Sequence, residues 1–286
     1  MLNMNFRYLL FILFASQILG LKAQTPLTIT NHWMFIGVTV SHQETSHNVQ
    51  GIIDTGASIC LIDSTFAVDS CHIKIALSNA TIGNTSGKRI NSFRINLDSI
   101  SMGDRVYSNV CCYVVDLAGK LKQYAPKFII GGDVLKRDLW CFDLNQNIMK
   151  RYGTVPANIK GTLSWKNHED YSDAALNSIY FEGKISGKKT RIFFDTGSRK
   201  NELPEYFKVL PTKNIEIESA NIADKLTLKE EKLCENTPVE IAEDKYLVNF
   251  FITSKAINKY PRINTDFLLG KIFLLNYKKK CLYILN

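Results

Sequence analysis

Two aspartates carry the chemistry open to this chain. Asp54 ends an apolar run in Gly51-Ile52-Ile53-Asp54-Thr55-Gly56-Ala57-Ser58, and Asp195 ends another in Arg191-Ile192-Phe193-Phe194-Asp195-Thr196-Gly197-Ser198. One Asp-Thr-Gly arises by chance in about one chain in twenty of this length. Two copies, each behind bulky apolar residues, point to two halves of one site. Carboxyl groups brought to about 3 Å cannot both ionise, so they share one proton. The ionised member can act as a general base on water, while the protonated member donates to a carbonyl oxygen. Such a pair titrates as a unit, so the proton belongs to neither Asp54 nor Asp195 alone. Gly56 and Gly197 let the backbone turn tightly behind each acid.

The residues downstream of each copy repeat as well. Phe128-Ile129-Ile130-Gly131 lies beyond Asp54, with Leu135 further on; Phe267-Leu268-Leu269-Gly270 lies beyond Asp195, with Leu274 further on. The Asp-to-Gly spacings are 131 − 54 = 77 and 270 − 195 = 75. Each half then reaches a cysteine-led strand, Cys141 to Asn145 and Cys281 to Asn286, and Cys141 and Cys281 fall at matching places. Self-similarity at a fixed period marks a duplicated structural unit.

These residues resemble the aspartic proteases of the retropepsin and pepsin group, and most of all bacterial retropepsin-like proteins with both halves in one polypeptide. The resemblance covers about residues 33–286. It implies an all-β, bilobal acid-protease fold, with two β-barrel-like lobes related by a pseudo-two-fold axis around a cleft. It implies an endopeptidase with catalytic Asp54 and Asp195, acting on a peptide or protein as a monomer without metal or organic cofactor. Thr55 and Thr196 would reach across the lobe interface, and Gly131 and Gly270 would pack beneath the catalytic loops. Ser198 can bond the outer oxygen of Asp195, which Ala57 cannot do for Asp54. A flap over the cleft falls at Asn79 to Gly87, including Ile82, Gly83 and Asn84; an ordinary β-turn explains its glycines equally well. The corresponding region of the second half, Glu218 to Glu230, is poor in glycine.

Two features depart from that family. The second half continues Arg199-Lys200-Asn201-Glu202 where the first has Ser58-Ile59-Cys60-Leu61, and cations pointing inward would favour ionised Asp195. The flap segment also lacks a tyrosine. The alternative is therefore a weak or inactive protease-fold protein that binds a peptide or another ligand in its cleft.

The elements that must position the aspartates read as short strands. Met34–Val40, Val49–Ile53, Phe93–Leu97, Val106–Val115 and Leu226–Leu228 have strand patterns, and Ile185–Ile192 reads as a hairpin turning at Gly187. Ser41 to Asn48 reads as a polar loop. Helical signals are short, near Phe66, Asp133–Arg137 and Pro204–Val209. The division expected is a signal peptide at 1–23, an N-terminal lobe at 24–153, a polar linker at 154–175 and a C-terminal lobe at 176–286. Arg7, the apolar run from Tyr8 and the small Ala23 have the layout of an export signal, so a periplasmic or secreted product without a stable membrane span is expected.

The formal net charge is +8, and +6 without Arg7 and Lys22. That excess is spread along the chain, so a nucleic-acid partner is not indicated. The seven cysteines show no C-x-x-C spacing and the five histidines no ligand pattern, so no metal is expected. Cys141 and Cys281 read as buried thiols. Cys111 and Cys112, adjacent on a strand, face opposite ways.

Overall fold

A computed structural model describes residues 24–75, 80–83, 88–171, 175–221, 224–254 and 259–286. The expected signal peptide, and Asn79, Asn84 and Gly87 of the flap segment, lie outside the described residues.

The chain is built of strands with a few single-turn helices, as its alternating pattern requires. The first half contributes β1 (Thr25–Thr30), β2 (Trp33–His42), β3 (Thr45–Ile53), β4 (Cys60–Asp63), β5 (Ala80–Gly83), β6 (Arg89–Met102), β7 (Arg105–Val115), β8 (Phe128–Ile130), β9 (Leu139–Asp143) and β10 (Ile148–Tyr152). The second contributes β11 (Ile159–Lys166), β12 (Ile179–Ile185), β13 (Lys188–Phe194), β14 (Glu202–Pro204), β15 (Lys213–Asn221), β16 (Asp224–Ile241), β17 (Asp244–Thr253), β18 (Arg262–Ile263), β19 (Ile272–Asn276) and β20 (Cys281–Leu285).

Pairing repeats strand for strand. β3 runs antiparallel to β2 and parallel to β8, and β4 runs parallel to β7 and antiparallel to β8. In the same way β13 joins β12 and β18, and β14 joins β17 and β18. The β5–β6–β7 meander has its counterpart in β15–β16–β17. One sheet belongs to both halves, in the order β1, β10, β9, β19, β20, β11. At its centre Phe142 pairs with Phe273, and their rings stack with centroids 5.0 Å apart.

This pairing changes how the two halves align. Asp54 N–H donates to Ile130 O at 3.0 Å, and Asp195 N–H donates to Ile263 O at 2.9 Å. The counterpart of Phe128-Ile129-Ile130-Gly131 is therefore Pro261-Arg262-Ile263-Asn264, not Phe267-Leu268-Leu269-Gly270. Thr265–Leu268 is instead a 3-10 turn where the first half has the helix Gly132–Leu135, Leu269 is half exposed, and Gly270 turns the chain at φ +71°. Gly270 thus packs beneath neither Asp-Thr-Gly loop. Likewise Cys141 lies on β9 opposite Leu274, whereas Cys281 opens β20, the counterpart of β10. Cys141 is buried, but Cys281 is only partly so, and all seven cysteines are free.

Other expectations fare unevenly. The hairpin turns at Ser186-Gly187, both with positive φ, as a two-residue turn matching the strand twist requires. Ser41 to Asn48 is not a loop: its ladder continues to His42 opposite Thr45, around Gln43-Glu44. The segment read as a polar linker holds β11, whose alternate residues Leu163 and Trp165 are buried. Cys112 is buried and Cys111 is not, as their adjacency predicts.

Truncating either ring at the centre of the shared sheet should expose how much holds the halves together. Phe142→Ala or Phe273→Ala is expected to cost about 3–5 kcal/mol. In urea unfolding the double variant should lose less than the sum, because each ring packs on the other.

Candidate active site

β3 and β13 deliver Asp54 and Asp195 to one place. Each strand ends where its parallel neighbour, β8 or β18, takes the aspartate's own N–H, and the chain then turns back as a loop. The two loops cross. Thr55 N–H donates to Thr196 Oγ1 at 3.0 Å, and Thr196 N–H donates to Thr55 Oγ1 at 3.1 Å. Each hydroxyl in turn donates across to a strand end: Thr55 to Phe194 O at 2.9 Å and Thr196 to Ile53 O at 2.6 Å. Both threonines are 1% exposed, so these groups have no water to fall back on.

The glycines explain how the acids come so close. A Cβ on Gly56 would overlap the Asp195 carboxyl, and one on Gly197 would overlap the Asp54 carboxyl. Each glycine leaves room for the aspartate of the opposite half, so the two carboxyls lie side by side. Asp54 Oδ1 accepts from Gly56 N–H at 2.8 Å and Ala57 N–H at 3.0 Å. Asp195 Oδ1 accepts from Gly197 N–H at 3.0 Å.

Ser198 does not bond the outer oxygen of Asp195. Its hydroxyl donates to Lys200 O at 2.8 Å, the carbonyl of a residue in the bend at Arg199-Lys200. Nor do the cations after the second triplet point at the acid. Lys200 Nζ lies 2.6 Å from Glu231, and the Arg199 guanidinium sits 4.2 Å over the Tyr124 ring. The cation beside Asp195 is Arg262, on β18, with Nε 3.5 Å from Asp195 Oδ2 and Nη1 3.5 Å from Glu202 Oε2.

Sequence reading missed Arg262, and also Trp33 and Asn264. Trp33 Nε1 donates to Gly197 O at 2.7 Å, tying β2 to the opposite loop. Asn264 stands where the first half has Gly131, and its amide donates to Ser198 O at 3.2 Å. Gly131 itself packs tightly beneath the first loop, since a Cβ there would overlap the Ile59 carbonyl. A signal for the correct register was present: Asp133-Val134-Leu135 and Asp266-Phe267-Leu268 share a pattern 266 − 133 = 133 residues apart.

In the expected flap, Ala80–Gly83 pairs with β6, placing Ile82 opposite Ile90. Ile82 packs against the apolar cluster that includes Ile52, Leu61 and Ile129. β15 and β16 form the matching hairpin of the second half. Tyr124 OH, from the first half, donates to Glu218 on β15 at 2.6 Å. Among the described residues no His, Cys, Asp or Glu cluster is arranged to hold a metal ion. None of their helices is long and apolar enough to cross a membrane.

Burial raises the Asp54 carboxyl from 3.8 to about 8, helped by the Asp195 charge and opposed by the Gly56 and Ala57 amides. Burial raises Asp195 too, while Arg262 pulls it down. A carboxyl with a raised folded pKa stabilises the fold fully below its unfolded value, and that contribution is lost as pH rises through the folded value.

Between about pH 4 and about pH 8 the Tm of the protein should therefore fall, and Asp54→Asn should flatten much of that slope. Thr196→Val orphans Thr55 N–H and Ile53 O, at about 1–3 kcal/mol each in chemical unfolding; Thr55→Val should match it.

Residues 38–134, running from β2 through Asp54 to the helix after Gly131, match the family model described as aspartyl protease. No curated protein matches the chain. The matched segment carries the first Asp-Thr-Gly, its parallel partner strand and the hairpin between them, so the similarity to aspartyl proteases lies in the first half of the chain.

Proposed function

We propose that the protein is an exported aspartic endopeptidase in which Asp54 and Asp195 form one catalytic pair. The observation that carries this reading is the reciprocal crossing of the two loops, which leaves the two carboxyls side by side, each filling the space beside the opposite glycine. Water held between them loses a proton to the ionised carboxyl and adds to the substrate carbonyl carbon. The protonated carboxyl gives its proton to the carbonyl oxygen, yielding a gem-diol. Collapse of the diol breaks the C–N bond: the amine nitrogen takes the pair's proton while a diol hydroxyl gives its own to the other carboxylate, so the pair is singly protonated again. No cofactor enters this scheme.

In this reading residues 24–153 and 176–286 are two lobes, and the substrate lies between them beneath the β5–β6 hairpin, with Ile82 and Gly83 on its arm. Both acids come from one chain, so a monomer suffices. The apolar stretch after Arg7 supports export to the periplasm or beyond. The rival reading, a cleft that binds without cleaving, drew on Arg199 and Lys200, and both are engaged away from Asp195.

The test is digestion of a denatured protein by the mature chain across about pH 3 to 8. Asp54→Asn and Asp195→Asn should each lose roughly 10²–10⁴-fold in kcat; unchanged cleavage by both would reject the pair. N-terminal sequencing of the exported protein should begin at Gln24.

A further inference from the structure

The strands flanking the two acids differ in chemistry at one matched position. In the first half β4 and β8 set Leu61 opposite Ile129. In the second, β14 and β18 set Glu202 opposite Arg262. Leu61 and Ile129 are buried among Trp33 and Ile52; Glu202 and Arg262 are almost as enclosed, at 9% and 13% side-chain exposure. Burying an ion pair stabilises a fold no better than burying two apolar side chains of similar size. Packing alone therefore does not account for the charges, and their position does: Arg262 Nε faces Asp195 Oδ2 at 3.5 Å.

We propose that Arg262 is a positioning residue for the pair, its guanidinium holding the ionised carboxylate on Asp195 so that the shared proton resides on Asp54. This rests on the catalytic pair proposed above, and it gives each acid a separate task. Asp195 takes the proton from water, and Asp54 donates to the substrate oxygen.

The backbone donors favour the opposite assignment, with two N–H groups on Asp54 Oδ1 and one on Asp195 Oδ1. A full cation 3.5 Å from the other oxygen of Asp195 outweighs one additional amide dipole through its charge alone. The directions of titration agree, since Arg262 is the leading influence that lowers Asp195. Every charged neighbour enters this balance. Glu202 on β14 opposes Arg262, and Lys200 lies 3.9 Å from Glu202 and 2.6 Å from Glu231 on β16. Tyr180 on β12 also acts on Arg262. Arg191 on β13 donates to Tyr260 OH at 3.0 Å, just ahead of β18.

The decisive variant installs the first half's pair in the second, Glu202→Leu with Arg262→Ile, which keeps packing and net charge. Arg262→Lys is its conservative companion. Carboxyl 13C NMR of aspartate-labelled protein, assigned with Asp54→Asn, reads which acid holds the proton; kcat and KM across pH read the consequence. In the unaltered chain Asp195 should titrate first. In the exchanged variant the acid limb of kcat should move to higher pH with KM little changed, so that its activity relative to the unaltered chain falls about tenfold from the optimum to the acid end. Arg262→Lys should recover most of it. An acid limb unmoved in the folded double variant, or a proton found on Asp195 in the unaltered chain, overturns the inference. Should the chain cleave nothing, the hydrolase reading fails while the NMR titration still decides the role of Arg262.

Discussion

The crossing of Thr55 and Thr196 is the constraint on which the site depends. Four hydrogen bonds run between the two loops, and each threonine uses its amide, its hydroxyl oxygen and its hydroxyl proton. The net worth of each bond is modest, about 0.5–1.5 kcal/mol. Their importance lies in what they exclude: with both residues out of reach of water, any other register leaves donors and acceptors unsatisfied. The loops are thus held to one relative position, and at that position the glycines leave space for nothing but the opposite carboxyl.

Such proximity is unfavourable by itself. The Asp195 charge raises the proton affinity of Asp54, and a site of this kind persists only when the surrounding structure over-determines it. Here that support comes from below and from the side. The shared sheet joins the halves through β9 and β19 with the stacked Phe142 and Phe273 at its centre. Further from the acids, Trp33 on Gly197 O and Arg199 over Tyr124 tie the halves together around the loops. The strain is local, and the restraint is spread over both halves.

How much of this could be read from residues alone depends on which interactions are local. Asp-Thr-Gly is legible because a carboxylate, a crossing hydroxyl and a missing Cβ are each demanded at adjacent positions. Most of β2, the end of β3 at Val49–Ile53 and β7 are legible because their own side chains alternate or run apolar. β18 is not. It is two residues long, and its strand character exists only by pairing with β13 and β14, contacts remote in sequence. An arginine there reads as surface, and the longer apolar run Phe267–Leu269 draws the alignment to the wrong place. The preference of Ser198 for a carbonyl over Asp195 was likewise a matter of side-chain direction, which spacing does not carry.

Duplication makes the differences between the halves informative. The backbone bonds that bring the acids to the site are the same on both sides: Asp54 on Ile130 O, Asp195 on Ile263 O, and one threonine on the other. Side chains have diverged where those bonds leave them free. Gly131 must remain glycine because the Ile59 carbonyl lies where a Cβ would stand. Asn264 can carry an amide because the second loop offers Ser198 O to receive it. Leu61 and Ile129 stand where the other half has Glu202 and Arg262, and the strand pairing that they share is unaltered. A symmetric frame therefore holds two chemically unequal aspartates. Hydrolysis requires that inequality at every turnover, because one acid must give a proton while the other takes one.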